Sequence, residues 1–230
     1  LEWAKGMGFI ANTAPIVLQL YSETLQKFRL AGEGFGDCAA PEAERERIRT
    51  YFDPLPFWYP PFEQAQTDST EFPVHAITQR PPFMYHAWGS QNAWLRQIMA
   101  RNFLYLHPDL AAKHALADGD WVELRSHHST ITVPVKLTRN VQADTVWTWN
   151  ALGKRKGSWG LAKNAPESNQ GFLLNPLISD LTPHGNYANA DPITGQAAWF
   201  DLRVSLRKVT RQPHSLPQYP AFKPLPGIGA

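Results

Sequence analysis

Side chains able to do chemistry gather in three places along the chain. The first is Thr78, Gln79, Arg80, His86, Ser90, Gln91 and Asn92, within ITQRPPFMYHAWGSQNAWLRQI. Arginine presents paired N–H donors that match phosphate oxygens, and Asn and Gln offer both a donor and an acceptor to the edge of a heterocycle. Pro81 and Pro82 stiffen this loop, and Gly89 supplies a turn before Ser90. The second place is Asn150 with Lys154, Arg155 and Lys156, and the third is Asn175 with the Asn189-Ala190-Asp191-Pro192 turn. Asn, Ser and Gly are also ordinary turn residues, and for the third place that explanation weighs as much as ligand binding. In the first, so many donors on one stiff loop favour a polar ligand.

The chain offers no set of residues equipped to run a reaction alone. His127 and His128 are adjacent, and neighbours on a strand point to opposite faces; no His-Glu-x-x-His and no cysteine-rich ligand set occurs. There is no Gly-x-Ser-x-Gly elbow, since Ser90 follows Gly89 in Gly-Ser-Gln-Asn, and no Gly-x-Gly-x-x-Gly follows a strand. The single Cys38 rules out an internal disulfide framework, a four-cysteine zinc site and an iron–sulfur cluster held by this chain alone. The donors therefore read as a clasp for a cofactor that carries its own chemistry.

The elements that must position them follow from periodicity. FPVHAIT, DWVELRS, TITVPVKLT and TVWTWN are β-like runs, and Phe200, Leu202, Val204 and Leu206 alternate with polar residues in a last strand. Pro108 opens a short helix in HPDLAAKHALADGD that ends at an Asp118-Gly119-Asp120 turn. Short strands with helices inserted between them predict a mainly β closed mixed barrel. Upstream, Thr13 and Pro15 start an amphipathic helix through Leu18, Tyr21, Leu25 and Phe28 that ends near Gly32, and EAERERIRTYF predicts an exposed charged helix. YFDPLPFWYPPFEQ carries Pro54, Pro56, Pro60 and Pro61 among aromatics, so it predicts an extended strap packed on a neighbouring domain.

With 230 residues, 43% hydrophobic, the chain can bury a sizeable core. Its formal charge of +2, from 22 Lys and Arg against 20 Asp and Glu, gives no general attraction to nucleic acid or anionic lipid. No apolar run reaches the ~20 residues of a membrane span, and no secretory signal opens the chain. LEWAKGMGF reads as the middle of something longer.

Several motifs in fixed order carry a resemblance. The Thr78-to-His86 run, then HPDLAAKHALADGDWVELRSHHSTITVPVKLTRNVQADTVW, NPLISD and DPITGQAAWFDLRVSLRK, resemble the C-terminal molybdopterin-dinucleotide-binding domain of the dimethyl sulfoxide reductase superfamily. The match runs from Phe72 to Val209, and departs from the family pattern at Pro81, Pro82 and the insertion NYANADP. It implies a double-psi β-barrel that binds bis(molybdopterin guanine dinucleotide) with molybdenum, the metal ligand and an iron–sulfur cluster belonging to earlier domains of the parent chain. By position, the resemblance puts Thr78, Gln79, Arg80 and His86 against pterin or pyrophosphate, with Ser90, Gln91 and Asn92 continuing the contact and Asn150 and Asn175 returning to it.

The expected organisation is residues 1–71 as a helical and extended remnant of the preceding catalytic domains, 72–209 as the barrel, and 210–230 as a proline-rich tail. The expected function is the cofactor-binding part of a molybdenum oxidoreductase, acting on sulfite or another sulfur oxyanion and inactive as a fragment. The remainder of the catalytic subunit is the first expected partner, followed by an iron–sulfur electron-transfer subunit, then by a membrane anchor subunit, with no nucleic acid and no direct membrane insertion. The expected location is cytoplasmic at a membrane face, with a periplasmic one left open. The competing reading is a free-standing barrel module that binds a protein or peptide without cofactor.

Overall fold

The structure is a computed structural model that describes residues 2–11, 22–37, 40–86, 88–89, 92–150, 152–153, 171–185, 187–198 and 201–210. Readings that fall on Thr13 to Tyr21, Cys38, Ser90, Gln91, Lys154 to Lys156, Phe200 and the tail from 211 lie outside those residues. The chain forms two compact units, Leu1–Tyr59 with Pro192–Gly195, and Pro60–Asp191 with Gln196–Ala230. Residues 60–71, grouped with the N-terminal segment in the sequence reading, lie in the second unit.

Among the described residues, the second unit is built on six strands: β1 Val74–Gln79, β2 Leu104–Leu106, β3 Trp121–Arg125, β4 Thr130–Leu137, β5 Thr145–Trp149 and β6 Arg203–Val209. They close into a mixed barrel in the order β1-β5-β2-β4-β3-β6, with β6 returning to β1. The β1/β5 and β2/β4 pairs are parallel, and the other four are antiparallel. Alternate residues point inward, so Val74, Ala76, Leu104, Leu106, Val122, Leu124, Ile131, Val133, Val135, Val146, Val204 and Leu206 form one buried core. Each large apolar side chain contributes about 1.5–3 kcal/mol on burial, which is what holds a barrel of short strands closed.

Five of the six strands follow the predicted runs. β2 was not foreseen, because three residues are too few to display a period of two. Helix α6, Pro108–Lys113, begins as predicted at Pro108, and His107 Nδ1 accepts the Asp109 N–H at 3.2 Å to cap it. The Asp-Gly-Asp turn also forms: Gly119 takes φ +84°, Asp120 accepts the Ala117 N–H at 2.8 Å and Asp118 that of Leu137 at 2.7 Å.

Two sequence readings need correction. The end of the proline strap is helical, α4 spanning Phe62–Gln66, because Pro61 stands just before the helix, where a missing N–H costs nothing. His127 and His128 occupy the turn between β3 and β4 rather than a strand, with ring centroids 6.3 Å apart. His127 Nε2 lies 3.5 Å from the buried carboxylate of Glu63 on α4, which also accepts an N–H from Asn189 at 2.8 Å. Asn189 Nδ2 thereby holds α4 while its Oδ1 is left buried without a partner, and the neighbouring Asp201 carboxyl is pushed above the ordinary range by burial and by the Glu63 charge.

In the first unit, α1 (Glu2–Gly6), α2 (Ser22–Glu33) and α3 (Glu42–Tyr51) are helical. A Cβ on Gly32 would meet Ile48 Cγ2 at 3.0 Å and the Arg45 carbonyl at 3.1 Å, so this glycine is where α2 and α3 touch, one residue before α2 ends, near Gly32 as predicted. Arg49 donates to the Gly32 carbonyl at 2.6 Å and to Glu42 and Glu46 at 2.6 Å each, giving α3 the predicted charged exterior. No helix among the described residues is long and apolar enough to cross a membrane.

Candidate functional site

The parallel pair β1/β5 places Thr78 beside Thr148 and Gln79 beside Trp149, and the Asn150 N–H donates to the Gln79 carbonyl at 2.9 Å. Thr78 shares a face with Val74 and Ala76, and Thr148 and Asn150 share one with Val146, so all three polar residues stand on the core face at one end of the barrel. Extending the antiparallel β2/β5 register brings Asn102 opposite Asn150 at the same end. The apolar interior thus finishes in a polar layer of Thr78, Asn102, Thr148 and Asn150.

These four side chains differ in how well they are satisfied. Asn102 and Thr148 are bonded within the protein, Thr148 Oγ1 donating toward Asn102 Oδ1 and the Phe103 carbonyl, each at 2.9 Å. Thr78 Oγ1 and Asn150 Oδ1 are buried without a hydrogen-bond partner. Leaving a buried polar atom unsatisfied costs about 1–3 kcal/mol, so two at one strand end mark a place built to receive complementary groups.

The loop after β1 leans over this end. Met84 and Leu152 are buried together, with Leu95 and Met99 packed against them, so the loop following β1 and that following β5 share a small apolar cluster. Gly89 permits this, since a Cβ there would meet Met84 Cα at 3.1 Å and Leu95 Cδ1 at 3.3 Å. Within the loop, Arg80 Nη2 lies 2.6 Å from His86 Nε2, and its guanidinium carbon is 5.7 Å from the centre of the Tyr85 ring. Arginine is only a donor, so in this bond His86 Nε2 is the acceptor. His86 takes φ +49°, a left-handed conformation sparsely used by residues other than glycine and concentrated at ligand-binding loops.

The predicted site residues thus separate. Thr78, Gln79 and Asn150 meet at the strand ends, and Arg80 and His86 pair on the overlying loop. Asn92 has a local role not assigned from sequence: its Oδ1 caps helix α5, Ala93–Ile98, by accepting from Trp94 at 2.9 Å and Leu95 at 3.4 Å. Asn175 is exposed and opens the 3₁₀ turn Asn175–Leu177, which Leu177 anchors in the core and Ser126 Oγ fastens by donating to the Leu177 carbonyl at 2.6 Å. Asn102 was missed, because an asparagine ahead of a three-residue strand carries no periodic or motif signal. On the far seam of β1, His75 Nε2 accepts from Arg203 at 3.1 Å, and burial, then the Arg203 charge, holds its imidazole below the ordinary range.

The layer fits a large polar ligand of the predicted kind: orphaned acceptor and hydroxyl atoms at the strand ends can meet heterocycle N–H and carbonyl groups, and the arginine beside them can meet phosphate. Comparison with known proteins agrees. Residues 74–190 match the family model of the Molydopterin dinucleotide binding domain. The chain is 48% identical to a sulfite dehydrogenase subunit of Allochromatium vinosum over 99% of its own length and 24% of that protein's. It is 30% identical to the trimethylamine-N-oxide reductase of Haemophilus influenzae over 55% of the chain and 15% of that protein. The chain therefore spans at most about a quarter of the length of these relatives. Among solved structures, acetylene hydratase from Pelobacter acetylenicus shares the fold, with a TM-score of 0.52 and 18% identity over 70% of this chain and 22% of that one. The match across residues 74–190 of the 230, on a barrel whose polar end suits the ligand, makes this chain a member of the molybdopterin dinucleotide binding domain family, within the dimethyl sulfoxide reductase superfamily.

Proposed function

We propose that the chain is the C-terminal part of a larger molybdenum oxidoreductase and holds bis(molybdopterin guanine dinucleotide) at the β1/β5 end of its barrel. The observation that carries this reading is the pair of buried, unsatisfied atoms, Thr78 Oγ1 and Asn150 Oδ1, on adjacent parallel strand ends. The cofactor, when bound, supplies the oxo and electron transfer. The protein's own residues bind and orient: Thr78 and Asn150 hydrogen-bond a heterocycle edge, Arg80 meets phosphate charge, and His86 holds the Arg80 fork in place. The two parallel pairs, β1/β5 and β2/β4, support a double-psi reading of the barrel.

The 48% identity to a sulfite dehydrogenase subunit supports sulfite or another sulfur oxyanion as the substrate of the parent enzyme. A chain that spans a quarter of that relative leaves the metal ligand, an iron–sulfur cluster and most substrate contacts to the remainder of the catalytic subunit, with electron-transfer and anchor subunits beyond it. On the same reading the parent works at the cytoplasmic face of a membrane.

The test is cofactor content in the whole enzyme. Asn150→Ala is expected to lower occupancy about tenfold at limiting cofactor, the loss of one well-placed hydrogen bond. Arg80→Ala is expected to lower it further while leaving the melting temperature unchanged, because Arg80 is exposed. Full molybdenum and guanine content in both variants would overturn the assignment.

A further inference from the structure

Asn102 is 1% exposed and uses its whole amide. Its Nδ2 donates to the carbonyls of Trp149 at 2.8 Å, Phe172 at 2.9 Å and Leu152 at 3.3 Å. Its Oδ1 accepts from Thr148 Oγ1 at 2.9 Å, the Phe103 N–H at 3.1 Å and the Trp149 N–H at 3.3 Å. One side chain thus ties the start of β2 to the residues on either side of Asn150, and ties both to Phe172, three residues before Asn175.

The backbone at this junction is equally close. A Cβ on Gly171 would stand 2.6 Å from the carbonyl carbon and oxygen of Leu152, and one on Gly153 would stand 2.4 Å from Leu173 Cγ. The segment leaving β5 and the segment approaching the 3₁₀ turn therefore lie against each other with no room for a Cβ at Gly153 or Gly171, and Asn102 bonds across both. Asn150 is the contrast. Its backbone is held by Gln79, and its neighbours Trp149 and Leu152 by Asn102, while its own Oδ1 remains without a partner.

We infer that Asn102 is a positioning residue for the cofactor: it fixes the chain on both sides of Asn150, so that the Asn150 carbonyl oxygen is aimed at the ligand before the ligand arrives. This rests on the proposed function of the β1/β5 end. Preorganisation of this kind strengthens binding because the ordering cost is met when the protein folds. It also explains why a fully bonded asparagine, rather than an apolar side chain, closes this end of the barrel: a leucine there could make none of these bonds to the backbone.

The experiment is a double-mutant cycle in the whole enzyme, read as the rate at which loaded protein releases its pterin, followed by pterin fluorescence. Asn102→Ala is expected to speed release about tenfold. In the Asn150→Ala background the same substitution is expected to change release by less than about twofold, because the group through which it acts is gone. A merely structural asparagine would give the same factor in both backgrounds, or lower the melting temperature without changing release, and either result overturns the inference. Thr148→Val, which removes one bond to Asn102 without altering volume, is run in both backgrounds too, and a smaller effect of about threefold that vanishes with Asn150→Ala supports the same conclusion if Asn102→Ala does not accumulate. Release unchanged by Asn150→Ala alone would instead count against the proposed function of this end.

Discussion

The barrel and the N-terminal segment treat their apolar residues in opposite ways. In the barrel, Leu104, Leu106, Val122, Leu124, Val133, Val135 and Val146 are all at 0% exposure. Among the described residues before Tyr59, only Gly32 is buried, while Trp58 is 80% exposed, Leu55 71%, Trp3 71% and Phe9 69%. A closed sheet buries one face of every strand by its own geometry, so each inward residue finds partners within the same unit. Short helices and a proline strap have no such closure. Their large apolar side chains therefore stay exposed.

That contrast can be broken at three points of falling effect. Leu104→Ala, in the buried core of the barrel, is expected to cost about 2–5 kcal/mol of unfolding free energy, the range for a fully buried leucine whose surroundings cannot collapse. Chemical denaturation would measure it, and a loss under about 1 kcal/mol would show the core to be looser than its closure implies. Thr78→Val replaces a buried, unsatisfied hydroxyl by a methyl of similar size. Without cofactor it is expected to be neutral or stabilising by up to about 1 kcal/mol, the opposite sign from most buried substitutions, and a clear destabilisation would mean the hydroxyl is already bonded. Trp58→Ser is expected to change the stability of the isolated chain by less than about 0.5 kcal/mol, since its ring is in water, and pulldown of the parent's other domains is expected to weaken.

The legible and illegible parts of the molecule differ for physical reasons. β3, β4 and β6 could be read because a strand that buries one face must alternate, and the pattern survives whatever the partner strand is. Helix α6 could be read because Pro108 and the Asp-Gly-Asp turn act on the local backbone alone. β2 could not, since its three residues become a strand only by lying between β5 and β4. α5 was equally hidden, because Asn92 looks the same whether it caps a helix or faces a ligand. Of the candidate site, the sequence carried the presence of donors near Thr78 and Asn150 but not which of them stay free of internal partners.

By itself, then, the sequence determined the mainly β class, five of the strand runs and the family whose motifs it repeats. These depend on local chemistry and order, which a chain carries before it folds. Only the tertiary structure decided that Thr78 and Asn150 finish on neighbouring parallel strands with unsatisfied atoms, that His86 is held by Arg80, and that Asn102 binds three segments into one polar floor. Those facts depend on which residues, far apart in the chain, are brought within hydrogen-bond range. The barrel's closure, with β1 beside β5 and β5 beside β2, brings them there.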